Sequence, residues 1–178
     1  MRKLTIGMIC LMMVVGAALA QAPPPMPKPG PEHQRLKYFT GQWKHEGDMK
    51  PGPFGPGGKF SSTEDAKMLG DYYVVMNSKG TMPMGPVSEV AIIGYDPKQK
   101  AYTYDAFNTM GQHDHSTGQV SGDTWIWTSE EEMGGKMMKG KFIIKEVSPT
   151  SYTYRFDMST DDGNTWTSLV EGKATKLK

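Results

Sequence analysis

The sequence predicts an all-β protein, an antiparallel up-and-down barrel of about ten strands behind one short helix. Three observations predict it. From Gly41 onward, apolar and polar residues alternate with the period of a half-buried strand. Turn chemistry such as Asp96-Pro97-Lys98, Ser121-Gly122-Asp123 and Ser148-Pro149 breaks that alternation at short intervals. Helix signals are confined to PEHQRLKYF, Pro31 to Phe39, with Pro at the start and Glu32 in the first turn. So many antiparallel strands on short links close on themselves, because closure removes exposed edges.

The elements follow in order. Residues 1–20 read as an export signal: Arg2 and Lys3, an apolar run from Leu4 to Val15, then the small-x-small pattern Ala18-Leu19-Ala20. A membrane anchor is the rival, but the run is short of the roughly 20 residues a bilayer requires. Cys10 lies inside the run rather than after it, which argues against lipidation. Residues 21–30, QAPPPMPKPG, form a Pro-rich linker, and residues 31–178 the barrel domain. The predicted strands are Trp43 to Met49, Lys59 to Met68, Tyr72 to Lys79, Val87 to Tyr95 and Lys100 to Asn108. His113 to Val120, Thr124 to Ser129, Lys136 to Val147, Ser151 to Met158 and Thr165 to Lys176 complete the set.

Removal of residues 1–20 leaves 158 residues, enough for one domain with a real core. The single cysteine leaves with the signal, so the expected secreted or periplasmic protein is held by packing without disulfides. The remaining 18 basic and 19 acidic residues nearly cancel, which argues against nucleic acid or an anionic membrane surface as partner. No remaining stretch is long and apolar enough to span a membrane.

STDDGNTW, Ser159 to Trp166, resembles the Asp-box of sialidase propellers. A propeller needs several four-stranded blades, this chain is too short for six, and the motif occurs once. Its physical reading is a hairpin. The Asp161 and Asp162 carboxylates accept turn amides, Gly163 supplies a positive φ, and Thr165 and Trp166 restart a strand.

The order LKYFTGQW, MLGDYYVVMNSKG, IIGYDPKQKAYTYD, STDDGNTWTSLVEG resembles the bacterial domain-of-unknown-function family 1579, from about Glu32 to Lys176. That family is similar to lipocalin-like, calycin barrels, so the resemblance implies a barrel opening with a short helix, and no settled activity. Gly41-Gln42-Trp43 also looks like the Gly-x-Trp that opens lipocalins and the haem-binding nitrobindins. In lipocalins a late arginine covers that tryptophan, which points here to Arg155; the alternative is an exposed strand arginine. Nitrobindin-like barrels hold haem through a histidine on the last strand. Thr165 to Lys178 contains none, which argues against haem.

Signatures of catalysis are missing: no Gly-x-Ser-x-Gly, His-Glu-x-x-His, phosphate-cradling loop or dinucleotide fingerprint. Glu130-Glu131-Glu132 reads as a solvated turn. His113-Asp114-His115 places two imidazoles on one strand face, where both can meet one metal ion. In an up-and-down barrel the links after strands one, three, five, seven and nine share one end. These include PGPFGPGG, TMPMGP, TMGQ and EEEMGG, so a mouth is expected there and a tight, helix-closed end opposite. Eight of the ten barrel methionines fall at or beside this mouth, where they suit varied apolar ligands or, with His113, His115, Met82 and Met84, copper.

The leading expectation is therefore a non-catalytic barrel that binds a small apolar molecule without a cofactor. Trp43, Tyr104, Trp125, Trp127, Tyr154 and Phe156 are the candidate wall, and Phe54 a lid over the mouth. A copper-binding module and an interaction domain with a filled barrel are the alternatives.

Overall fold

A computed structural model describes residues 28–53, 55–133 and 135–177. The expected signal, the linker up to residue 27 and Phe54 lie outside the described residues. A short helix α1 (Pro31–Arg35) runs into a 3-10 turn (Leu36–Phe39), and ten strands follow. These are β1 (Gly41–Met49), β2 (Gly58–Leu69), β3 (Tyr73–Met82), β4 (Gly85–Asp96), β5 (Ala101–Asn108), β6 (His113–Ser121), β7 (Thr124–Met133), β8 (Lys136–Ser148), β9 (Ser151–Ser159) and β10 (Thr167–Lys176). Each strand pairs antiparallel with its neighbour in sequence, and β1 pairs with both β2 and β10, so the sheet closes. Trp43 shows the closure, opposite Glu64 on one side and Lys176 on the other. Among the described residues no helix is long and apolar enough to cross a membrane.

Alternation decides which side chains enter the barrel. On β1, Trp43 is buried while Lys44 and Glu46 are exposed, so Trp43, His45, Gly47 and Met49 share the inner face. On β9, Tyr152 and Tyr154 are buried while Thr153 and Arg155 are exposed. The turns after β1, β3, β5, β7 and β9 lie at one end; the helix covers the other.

That covered end is plugged. Leu36, Phe39, Trp43 and Trp125 are almost entirely buried. Their rings meet edge-on or tilted: Phe39 lies 5.0 Å from Trp125, Trp43 5.0 Å from Tyr152, and Tyr102 4.8 Å from Trp125. The indole N–H of Trp43 donates to the Phe39 carbonyl at 2.8 Å, and that of Trp125 donates to Glu146 at 2.7 Å. Burying two indoles is favourable only because each finds an acceptor. Arg35 reaches from α1 to Glu146 at 2.6 Å and stands over the Trp125 ring, which clamps the helix to the barrel.

Several expectations need correction here. Arg155 does not cover Trp43. It points outward and pairs with Asp157 at 3.0 Å, because the β9 alternation that sends Tyr154 in sends Arg155 out. Lys176 lies over Trp43 instead, 4.9 Å from the ring centre. Glu130, Glu131 and Glu132 do not form a turn but continue β7, laddered to Lys139, Met138 and Met137 of β8, with Lys139 also 3.5 Å from Glu130. TMPMGP is not a long loop: Met82 pairs with Gly85, leaving a two-residue turn. The methionine rim is divided accordingly. Met49 and Met82 pack against the core, Met158 is buried, and Met84, Met110 and Met137 are exposed.

The hairpin between β9 and β10 forms as expected around Asp161 and Gly163, whereas Asp162 pairs with Lys139 at 2.7 Å instead of a turn amide and β10 begins at Thr167, just after Trp166. Gly163 has φ of 90°, and its amide donates to the Ser159 hydroxyl at 2.8 Å. The Asp161 carboxylate accepts from Ser159, from the Thr165 amide and from the Thr165 hydroxyl. The two Thr165 bonds are the largest cause holding its carboxyl down at about 2.

Candidate functional site

Above the plug the inner wall changes character. Four inward aromatic rings stand close to inward glycines. A Cβ on Gly118 would stand 2.4 Å from the Trp127 ring, and one on Gly172 2.5 Å from Tyr154. On Gly47 it would stand 2.6 Å from Phe60, and on Gly140 3.0 Å from Phe156. In the first three cases the ring belongs to the residue directly across the ladder. A glycine has no side chain to hold a ring off the sheet, so the ring packs close to the backbone there.

One arc of this wall is polar. His45 (β1), Ser62 and Glu64 (β2), Ser78 (β3), Glu89 (β4), Tyr104 (β5) and Asp114 (β6) all occupy inner-face positions. In the ladder Ser78 is opposite both Glu64 and Glu89, so the three are neighbours across adjacent strands. Tyr104 donates to Glu89 at 3.2 Å. His45 Nε2 lies 3.8 Å from Glu64 Oε2, with side-chain exposures of 14% and 9%. Burial, reinforced by Glu89, pushes the Glu64 carboxyl up to about 8, and burial pulls His45 down to about 4. At neutral pH both are uncharged, so the 3.8 Å approach is a contact and not a salt bridge. His45 Nε2 and Glu64 Oε1 are buried without a hydrogen-bond partner. Burial also raises Glu89 and Asp114. The opposite arc, β8 to β10, presents Phe142, Tyr154, Phe156, Met158 and Val170.

The wall is interrupted near the mouth. The ladder between β6 and β7 stops at Thr117 opposite Thr128, although the strands continue to His113 and Met133. A cleft of about 700 Å³ sits there, lined by outward His113, His115 and Lys141 and by inward Ser116, Ser129 and Gly140.

The sequence-predicted wall residues therefore divide. Tyr104, Trp127, Tyr154 and Phe156 lie on the inner face above the plug, with Tyr104 and Trp127 6.0 Å apart. Trp43 and Trp125 belong to the plug. His113 and His115 come together, but on the outer face and around Asp105, whose Oδ1 is 3.7 Å from His113 and 2.8 Å from His115. His113 also stacks on Phe107 at 4.4 Å. Met82 lies on the inner face and Met84 is exposed in the β3–β4 turn, so the structure does not join the four expected copper ligands. Among the described residues, no group of three or more His, Cys, Asp or Glu is placed to hold a metal ion. The polar arc went unread in the sequence. Its signal was present: His45 is two residues from Trp43, so a buried Trp43 places His45 inside as well.

Comparison with known proteins agrees with this architecture. Rv2717c from M. tuberculosis superposes with a TM-score of 0.55 at 13% identity, covering 84% of this chain and 99% of that one. The S-type phycobiliprotein lyase CPES from Guillardia theta does so with a TM-score of 0.52 at 11% identity, covering 83% and 93%. At these identities the likeness is one of fold alone. No curated protein matches the chain in sequence. The family model described as "Protein of unknown function (DUF1579)" matches residues 28–176, from just before the helix to the last residue of β10, and the chain belongs to that family.

Proposed function

We propose that the protein is an exported carrier that takes up a small, largely apolar molecule in the chamber above the plug and performs no catalysis. The observation that carries this reading is the pairing of inward aromatic rings with inward glycines. A barrel built only for stability gains most by filling its centre, since each unfilled methylene-sized space costs stability. Here four rings above the plug stand against inward glycines. Aromatic walls with a few polar groups are the usual lining of small-molecule pockets. The break between β6 and β7, at the mouth side, supplies access. The leader-like residues 1–20 support export, and the reading invokes no cofactor.

Titration with N-phenyl-1-naphthylamine, an uncharged apolar fluorophore at neutral pH, tests the reading. Saturable emission enhancement with micromolar affinity is expected for the folded protein, with Trp127 emission quenched in parallel. Absence of enhancement, or enhancement that persists after unfolding in denaturant, would overturn it.

A further inference from the structure

We infer that the polar arc recognises a protonated amine, and that the ligand is an amphipathic organic cation with its nitrogen at Glu64 and Glu89 and its apolar body against β8 to β10. This rests on the carrier reading above and assigns the chemistry of its ligand. Glu64, Glu89 and Asp114 face the same lumen from β2, β4 and β6. Among the described residues two lysines occupy inner-face positions: Lys176 at the plugged end over Trp43, and the exposed Lys136 at the rim end of β8. Other lysines and arginines pair outside: Lys44 with Glu46, Lys67 with Asp65, Lys139 with Glu130 and Asp162, Arg155 with Asp157. Among the described residues, no lysine or arginine pairs with Glu64, Glu89 or Asp114.

Burial penalises the charged form of all three carboxyls and raises each of them, Glu64 to about 8. The arrangement costs stability, since Glu64 Oε1 and His45 Nε2 are buried with their hydrogen-bonding capacity unused and Glu64 is nine-tenths buried. Packing alone does not favour it. Perturbed carboxyls gathered on one inner arc, one of them with an unpartnered buried oxygen, are what a binding site for a complementary group looks like. An ammonium head donates to acceptors, and Glu64 Oε1 is a buried inner-face acceptor without a hydrogen-bond partner. It also brings a positive charge, and the Glu64 proton leaves to solvent as it binds. A metal ion lacks a sufficient ligand set here. An anionic head would meet the carboxyls of Glu64, Glu89 and Asp114 with no lysine or arginine among the arc's residues. The facing arc of Phe142, Tyr154, Phe156 and Met158 requires an apolar body.

Three ligands of one chain length separate the possibilities: decylamine, decanol and decanoate, each titrated by calorimetry at neutral pH. Decylamine is expected to bind at least about tenfold more tightly than decanoate, with decanol between them. Glu64→Gln together with Glu89→Gln should bring decylamine down to the affinity of decanol while leaving decanol unchanged. Asp114→Asn, at a more exposed position, should weaken decylamine in the same direction. Decanoate binding as tightly as decylamine, or an amine preference that survives the glutamine pair, would overturn the inference and leave the carrier reading standing. Failure of all three ligands to bind would bring down both.

Discussion

Gly118→Ala is the most informative single substitution, because it adds one methyl group where the chamber has no room behind the ring. The new Cβ would stand 2.4 Å from Trp127 Cε3 and 2.7 Å from two further ring atoms. Ordinary carbon contacts are about 3.5–4.0 Å, so the indole must retreat by about 1 Å or more. Trp125 stacks along the same face at 6.1 Å and Tyr104 stands at 6.0 Å, so the direction left to the ring is toward the lumen. Overpacking of this kind costs about 1–3 kcal/mol, and the better strand propensity of alanine offsets only part of that. For a chain of this size the melting temperature should fall by roughly 2–4 °C per kcal/mol. Chemical denaturation gives the stability, and naphthylamine titration gives the affinity, which should fall more than about tenfold as the ring enters the chamber. Adding Trp127→Leu should restore much of the stability, a coupling that only a direct contact produces. Unchanged stability and unchanged probe affinity in Gly118→Ala would refute the reasoning, because the ring would then not rest on the glycine.

Three further outcomes are expected. Glu64 is raised above its ordinary 4.5 to about 8, so its contribution to stability declines as pH rises from about 4.5 to 8. His45 is lowered from 6.5 to about 4, so its contribution grows with pH up to 6.5 and then stays constant. Above pH 6.5 only the carboxyl effect remains, and stability should fall by about 2 kcal/mol by pH 8; denaturation midpoints across that range should flatten in Glu64→Gln, and a flat wild-type profile would contradict the burial argument. Gly163→Val forces a β-branched residue to a φ of 90° and should cost about 1–3 kcal/mol by the same assay. Trp43→Ala removes a fully buried indole from the plug and should cost about 3–5 kcal/mol; a loss below about 1 kcal/mol would show that the plug repacks around it.

Much of the fold was legible because alternation and turn chemistry act locally. Ser151 to Met158 alternates so regularly that β9 needs no partner to be recognised. Local reading failed where a strand's partner decides the outcome. Glu130-Glu131-Glu132 reads as a turn until β8 places Lys139 beside it. Pro83 and Met84 read as part of a loop until the Met82–Gly85 pair closes a tight turn. Arg155 is a case of a sound signal overruled: its alternation with Tyr154 already sends it outward. The inner face above the plug was half legible. The inward positions of Trp127, Tyr104, Tyr154 and Phe156 follow from strand alternation, whereas the glycines beside the rings depend on cross-strand register. The polar arc depends on both, since Glu64, Ser78 and Glu89 become neighbours only when three strands are aligned.

The central claim is that the upper barrel holds a small molecule. Native mass spectrometry of the protein purified from its own host tests it most directly. The account predicts a population heavier than the bare polypeptide by the mass of one small organic compound, which is released on unfolding and depleted in Gly118→Ala. A single population at the polypeptide mass, from protein that also fails to take up the apolar probe, would contradict it.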